Sequence, residues 1–294
     1  MGSAILFSFK VILIKLAFRY GANTISILLL RLLFALPIYS LILLYAQNSK
    51  HRYTPDRQTW LWIFFLSFTG FYLASFLDFY ALNYLPAGIE RIIIFSTPAL
   101  VLIISYLMFK TKITKPQIFS VVTCYLGIII AFTNQEALTG GSNLWLGGSL
   151  VFASALSYSF YLIFSERILQ KAPVVFFTCT VMIISTFFVA IHYLIGYDII
   201  DIFTLHRNVY FCGIAMAIFA TVLPTFMMSE GIKRIGAGNT AIFGGIGPIS
   251  TIILAAIILD EHFSFWQYVG SALVLFGVYI LSVNTKKRKQ KAKI

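Results

Sequence analysis

Apolar residues come in blocks of about 20, each long enough to cross about 30 Å of hydrocarbon as a helix. The 294 residues are 60% hydrophobic and only 11% charged, which is far too apolar for the surface of an ordinary soluble protein. The sequence lacks the alternating segments of about 10 residues that are typical of membrane β-barrels. We therefore predict an all-α polytopic membrane protein.

Polar and turn residues divide the apolar sequence into ten predicted transmembrane helices. They are expected near residues 2–19, 24–46, 59–82, 88–109, 116–134, 143–164, 174–195, 209–231, 236–259 and 263–283. A polar stretch around Gly140, Gly141 and Ser142 separates two groups of five. We expect a first five-helix unit at 1–134, a second at 143–285, and a basic tail at 286–294.

Features of the first half recur in the second half 150 positions later. The Ala-Gly pair at 87–88 returns at 237–238, and Pro98 returns as Pro248. Since five is an odd number of spans, the second unit would cross the membrane in the opposite sense. The sequence therefore predicts two inverted five-helix repeats around a central cavity.

Most Lys and Arg residues between the spans fall on one side of the predicted membrane. By the positive-inside rule this side is cytoplasmic, so that both termini are expected in the cytoplasm of a cell with this protein in its plasma (inner) membrane. The net charge of +12 then reflects topology and the attraction of the tail, 286–294, for anionic lipid. Nucleic acid is not an expected partner.

Charged residues inside predicted spans are candidates for function, because each costs about 2.5–3.5 kcal/mol to insert. The candidates for a substrate or proton site are Lys10, Lys15, Arg31, Asp78, Glu90 and Arg91, with Tyr80 and Tyr158 as aromatic candidates to line the same cavity. Asp78, paired with Lys10 or Arg31, is the first candidate for a proton site. An alternative stays open, in which these charges form a structural ion-pair set and Lys15 extends outward.

Two prolines lie about ten residues into their spans, where a missing backbone N–H interrupts a helix. Pro98 is in the fourth span, and Pro248 follows Gly244, Gly245 and Gly247 in the ninth. These residues are predicted helix breaks or hinges. Close helix packing is an alternative role for them, compatible with the first.

The chain resembles the drug/metabolite transporter superfamily, and within it the ten-helix EamA type, over essentially its whole length. The resemblance is carried by the segments 8–21, 29–37, 79–101, 154–169 and 231–278 in this order and spacing. It implies a central cavity built mainly from spans 1, 3, 4, 6, 8 and 9. It also implies transport, often export, of amino acids or related small metabolites.

The leading hypothesis is a secondary transporter of small metabolites that works by alternating access, driven by a proton gradient or as a uniporter. The sequence has no GxxxxGK[ST] motif to support ATP drive, and no cofactor or metal is expected. A non-transporting receptor or a lipid scramblase is the main alternative. An intramembrane enzyme is less favoured, because Tyr197-Asp198 lacks a GxGD partner. A small-molecule substrate and a monomer or homodimer are expected.

Overall fold

A computed structural model describes residues 2–48, 53–110, 114–132, 143–243, 258 and 264–291. Within these residues the protein consists of helices and short connections, without a β-strand. The predicted hinge residues Gly244, Gly245, Gly247 and Pro248 lie outside the described residues, as does the end of the basic tail.

Six helices form the described part of the first half. They are α1 Gly2–Arg19, α2 Thr24–Gln47, α3 Arg57–Ala81, α4 Ala87–Ile94, α5 Thr97–Phe109 and α6 Lys115–Phe132. Side-chain caps explain two of the starts. The Asn23 side chain accepts a hydrogen bond from the Ser26 N–H at 2.8 Å. Asp56 accepts from the Thr59 N–H at 3.2 Å, and hydrogen bonds from Thr59 lower the pKa of the Asp56 carboxyl.

Five helices form the described part of the second half. They are α7 Leu144–Lys171, α8 Val174–Gly196, α9 Arg207–Ile235, α10 Ala237–Phe243 and α11 Phe265–Lys291. Helix α7 packs against α3, α4 and α5, and α8 packs against α2. Helices of the two halves therefore pack against each other, and side chains from both halves contribute to the contacts between them.

The described helices establish a polytopic membrane architecture. Six helical segments are long and apolar enough to cross a membrane, namely α2, α3, Ala87–Phe109 (α4 with α5), α7, α8 and α9. Shorter apolar stretches occupy Ile118–Gly127 in α6 and Phe265–Gly277 in α11. The prediction of an all-α membrane protein is confirmed at this level.

Helix starts in the two halves are related by a constant spacing. Four pairs of helices begin 150 positions apart, at Thr24 and Val174, Arg57 and Arg207, Ala87 and Ala237, and Lys115 and Phe265. The spacing is the one at which the sequence features recur. The same local sequence signals therefore start helices at matching positions in both halves.

Two helices contain a π-helical segment at matching positions. The segment in α3 covers Ser67–Leu73, and the segment in α9 covers Ile218–Val222. A π turn carries its hydrogen bonds from residue i to i+5, which widens the helix, and such turns are frequent at functional sites. The α-helical pattern resumes at Ala74 and Leu223.

The span that contains Pro98 is interrupted just before this proline. Helix α4 ends at Ile94, and α5 begins at Thr97 after the two turn residues Phe95 and Ser96. Proline has no N–H to donate to the carbonyl four residues earlier, which is that of Ile94. The Thr97 hydroxyl donates to this carbonyl oxygen instead, at 2.5 Å.

Helices α6 and α11 pack closely through a glycine contact. A Cβ atom on Gly127 would lie 2.6 Å from the Gly270 carbonyl oxygen and 2.9 Å from Val274. The Ser120 hydroxyl also donates a hydrogen bond to the Gly277 carbonyl oxygen. Since small residues allow backbones to approach closely, this contact joins the last described helix of each half.

We predict that Gly127→Ala destabilises the protein, because the added methyl group meets backbone atoms that cannot rotate away. The free energy of unfolding in detergent micelles should fall by about 1–3 kcal/mol. Gly196→Ala is the matched control, because nothing lies within 4 Å of its added Cβ. Equal stability of the two variants, measured by reversible unfolding, would contradict the close α6–α11 contact.

Candidate functional site

An ion pair between α1 and α3 lies in the interior of the helix bundle. The Lys10 Nζ atom is 2.5 Å from Asp78 Oδ2, and their side chains are 14% and 3% exposed. Asp78 belongs to the last α-helical part of α3, after its π-helical segment. The structure thus brings together the two residues that the sequence places deepest in their spans.

A second pair of charges adjoins the first. Glu90 and Arg91 lie on α4, where Arg91 Nε is 3.4 Å from Glu90 Oε2 and Glu90 is fully buried. The Asp78 and Glu90 carboxyl groups influence each other electrostatically. Asp78 Oδ1 and both Glu90 oxygens are buried without a hydrogen-bond partner among the described residues, and a hydrogen bond between the two groups would satisfy one oxygen of each. A carboxylate is only an acceptor, so such a bond requires a proton on one of them. Asp78 and Glu90 can therefore hold a proton between them.

Arg31 brings a further positive charge to the site from α2. Its guanidinium donates to the Ser75 hydroxyl at 3.3 Å, and its Cζ atom lies 5.0 Å from the centre of the Phe79 ring. The Lys10 Nζ atom lies 5.5 Å from the same ring. The buried Phe79 ring thus makes cation–π contacts with both cations.

Four of these five charged residues line a cavity between the two halves, with a volume of about 150 Å³. All charged residues in the described wall of the cavity come from the first half. They are Lys10, Arg31, Asp78 and Arg91. The second half supplies polar and apolar residues, among them Ser154, Tyr158, Leu162, Thr221, Thr225 and Met228. An engineered apolar cavity of similar volume holds benzene, so this space is of the size of a small metabolite.

Three of the site candidates from the sequence lie outside this wall, namely Lys15, Tyr80 and Glu90, which is buried beside Arg91. The Lys15 Nζ atom donates to the Leu85 carbonyl oxygen at 2.8 Å. Tyr80 is 38% exposed and stacks on Phe76, and its hydroxyl accepts a hydrogen bond from Tyr84 at 3.0 Å. Lys15 therefore holds a loop, and Tyr80 belongs to an aromatic cluster near the end of α3.

Other residues singled out from the sequence do reach the cavity. Tyr158 lines it and stacks on Tyr161, with ring centres 5.6 Å apart. Pro98 and Thr97 line it at the helix break between α4 and α5. The break thus lies beside the charged residues of α4, where a change in backbone direction would move them.

A contact between Gly70 and Tyr161 was not foreseen from the sequence. Gly70 lies in the π-helical segment of α3, and a Cβ there would be 2.4 Å from the Tyr161 ring. Because Gly70 has no side chain, the Tyr161 ring of α7 packs directly against the backbone of α3. No local signal marks this pairing, since it joins residues far apart in the chain.

Serine hydroxyls from the second half satisfy backbone carbonyls at and beside the π-helical segment of α3. They donate from Ser154 to Ala74, from Ser157 to Thr69 and from Ser185 to Ser67, at 2.7, 2.8 and 2.9 Å. In the apolar interior of a membrane protein, polar backbone groups need such partners. The serines in otherwise apolar helices were the available sequence signal for these contacts.

The second π-helical segment presents threonine hydroxyls to the cavity wall. The Thr221 hydroxyl donates a hydrogen bond to the Met216 carbonyl oxygen at 2.9 Å. The Thr225 hydroxyl donates to the Thr221 carbonyl oxygen at 2.8 Å. Thr225 also shares a hydrogen bond of 2.6 Å with the hydroxyl of Tyr39 on α2. Both π-helical segments therefore border the cavity, one from each half.

Comparisons with known proteins identify the family of this chain and several of its relatives. The chain matches the EamA-like transporter family over residues 1–133 and 145–283. It is 27% identical over 289 residues to "Uncharacterized transporter YcbK" of Bacillus subtilis, covering 97% of this chain and 90% of that protein. It is 22% identical over 227 residues to "Probable amino-acid metabolite efflux pump" of Escherichia coli, covering 72% of this chain and 73% of that protein.

A solved crystal structure shares the fold. Its TM-score with this chain is 0.67 at 16% sequence identity, over 97% of this chain and 98% of the other. At this identity the likeness concerns the arrangement of helices alone. The family match covers both halves of the chain, including the helices that carry Lys10, Arg31, Asp78 and Arg91. The protein is therefore a membrane protein that belongs to the EamA-like transporter family, a group of drug/metabolite transporters.

Proposed function

We propose that the protein is a secondary transporter that exports small metabolites, amino acids or related compounds, by alternating access. The observation that carries this proposal is the buried Lys10–Asp78 ion pair in the wall of a cavity inside the helix bundle. Ionisable residues within membrane helices are costly and mark substrate or ion pathways. The efflux named for the Escherichia coli relative supports the direction.

The proposal includes ten spans arranged as two inverted five-helix repeats, at 1–134 and 143–285. Two observations support it, namely helix starts that recur after 150 positions and two separate family matches, to 1–133 and 145–283. Five spans per repeat reverse the second copy relative to the first, which places the binding site between them. Both termini then face the cytoplasm at the plasma (inner) membrane, and the tail at 286–294 lies near anionic lipid.

Alternating access requires helices that can bend beside the site, and three features of the structure provide points where bending can occur. They are the break before Pro98 and the π-helical segments Ser67–Leu73 and Ile218–Val222. Interruptions of this kind are where helices kink. Because all three border the cavity, bending there would change its access to either side of the membrane. The hinge role of Gly244, Gly245, Gly247 and Pro248 remains a prediction from the sequence.

The neighbouring carboxyl groups of Asp78 and Glu90 favour protons as the coupling ion over uniport. A proton bound by one of them would allow a hydrogen bond between the two carboxyl groups, and its loss would leave two buried negative charges near Lys10 and Arg91. Such a change alters the electrostatic balance of the cavity wall. We propose no enzymatic reaction for the protein, and its partner is a small solute, with the protein as a monomer or homodimer.

Transport is tested first by comparing the solutes that cells retain and release with and without this protein. Solutes whose distribution changes are then assayed for flux in proteoliposomes containing the purified protein. Flux that depends on the protein supports the proposal. Solute binding without flux would indicate a receptor, and lipid movement without solute flux would indicate a scramblase.

We predict that Asp78→Asn abolishes the response of flux to a pH gradient, because an amide cannot take up the proton. Flux of a solute identified in the screen would be measured in proteoliposomes with an imposed gradient. Asp201→Asn, at an exposed position, is the matched control and should retain the response of the unmodified protein. A normal pH response in Asp78→Asn would exclude Asp78 as the proton site.

We also predict strong energetic coupling between Lys10 and Asp78. Lys10→Met or Asp78→Asn alone leaves a buried charge without its partner, and should lower the free energy of unfolding by about 3–5 kcal/mol. The double variant should lose less than the sum of the two single losses, by up to about 3 kcal/mol.

The exposed pair of Glu230 and Arg234 provides the control for this measurement. Glu230→Gln should change the free energy of unfolding by no more than about 1 kcal/mol, since solvent screens the pair. Additive effects of Lys10→Met and Asp78→Asn would refute a direct ion pair between the two residues.

A further inference from the structure

Arg31 is the one positive charge of the described cavity wall without a carboxylate at ion-pair distance among the described residues, although it lies near enough to Asp78 to be attracted by it. Lys10 is paired with Asp78 at 2.5 Å, and Arg91 lies 3.4 Å from Glu90. Arg31 is as buried as these residues, at 3% exposure, and it forms no ion pair within this part of the chain. The site therefore holds more positive charge than its own carboxylates balance.

The hydrogen-bonding groups of Arg31 are also incompletely used. One terminal nitrogen donates to Ser75 at 3.3 Å, whereas the buried Nε has no partner among the described residues. A guanidinium presents five N–H donors in a planar fork that matches a carboxylate. Burying such a group without an anion is costly. An anion that enters the cavity would supply the missing acceptor.

The undescribed part of the ninth predicted span does not alter this charge count. Residues 244–259 contain neither Asp nor Glu, so this stretch has no carboxylate to offer Arg31. Ser75, which accepts from Arg31, is itself part of the cavity wall. Arg31 itself also lines the cavity, so its side chain lies beside the space in which a solute would sit.

The remainder of the cavity wall is largely apolar. It includes Phe71, Ile94, Phe95, Leu162 and Met228, from both halves of the protein. An ammonium group on the solute would be repelled by Lys10, Arg31 and Arg91, while Asp78 is already paired with Lys10. The wall is therefore suited to a solute with one negative charge and an apolar body.

We propose that the cavity selects small monocarboxylates with an apolar body, and that Arg31 binds their carboxylate. This inference rests on the proposed function, because it takes the cavity as the transport site, and it narrows the substrates from amino acids and related compounds to carboxylates without an ammonium group. The guanidinium can donate two parallel hydrogen bonds to the carboxylate, from Nε and a terminal nitrogen. The Phe79 ring, whose centre lies 5.0 Å from Arg31 Cζ, adds a cation–π contact to the guanidinium, and the apolar residues contact the rest of the solute.

The test uses four probes that share a branched apolar body and differ in charge. They are 4-methylpentanoate (an anion), leucine (a zwitterion), 4-methylpentanamide (neutral) and 3-methylbutylamine (a cation). Binding of each to the purified full-length protein in detergent is measured by calorimetry. We expect 4-methylpentanoate to bind at least about tenfold more tightly than the other three, because charge-assisted hydrogen bonds are worth about 1.5–3 kcal/mol. Tighter or equal binding of another probe, or no binding of the carboxylate, overturns the inference.

Variants at Arg31 test the assigned contact. Arg31→Gln should weaken binding of 4-methylpentanoate at least about tenfold, and Arg31→Lys should weaken it less, because it keeps the charge but loses the fork. Arg207→Gln, at an exposed position, is the matched control and should bind like the unmodified protein. If Arg31→Gln does not fold, the inference is still tested by comparing the binding of the four probes to the unmodified protein and to Arg31→Lys. Unchanged affinity in a folded Arg31→Gln variant overturns the assignment.

Flux measurements separate this inference from the proposed function. Protein-dependent flux of leucine or of the amine, without carboxylate preference, would retain the transporter and reject the monocarboxylate class. Binding of 4-methylpentanoate through Arg31 without flux of any solute would retain the anion site and reject transport. Preferential flux of the carboxylate that is reduced in Arg31→Gln supports both the transport function and the binding of monocarboxylates by Arg31.

Discussion

The burial of charge in an apolar helix bundle is the constraint on which the site depends. Lys10 and Asp78 lie where an isolated charge would be strongly unfavourable, and each compensates for the other. Their contact fixes α1 against the end of α3 and so sets one wall of the cavity. Glu90 and Arg91 extend the same network to α4. The charged network therefore aligns three helices of the first half around one space.

The two halves make unequal contributions to this space despite their matching helix starts. In the described wall the first half provides the charges, and the second half provides hydroxyls and apolar surface. Serines of α7 and α8 also support the carbonyls of the α3 π-helical segment. Matching helix starts therefore accompany different chemistry in the two halves of the described wall, with charges in the first half and hydroxyls and apolar surface in the second.

The sequence was most informative where a single residue type determines the local outcome. Polar and capping residues predicted most helix bounds to within a few positions, and Pro98 marked the interruption between α4 and α5. The charges of Lys10 and Asp78 identified a candidate site because buried ions are rare. The π-helical segments and the packing of Tyr161 against Gly70 could not be predicted, because they depend on contacts between helices that are far apart in the sequence. Tyr80 faces away from the cavity because an almost uniformly apolar helix does not reveal which side is inward.

The π-helical segment of α3 has a consequence for the register of this helix. A π turn accommodates an additional residue, and each residue of an α-helix rotates the next by about 100°. The segment at Ser67–Leu73 therefore sets the direction of every side chain that follows, including Ser75, Asp78 and Phe79. Deletion of a single residue there would restore a regular helix and turn these side chains away from α1 and α2. In this chain, a one-residue change in the length of the apolar span of α3 would thus rearrange the cavity wall without replacing the residues that line it.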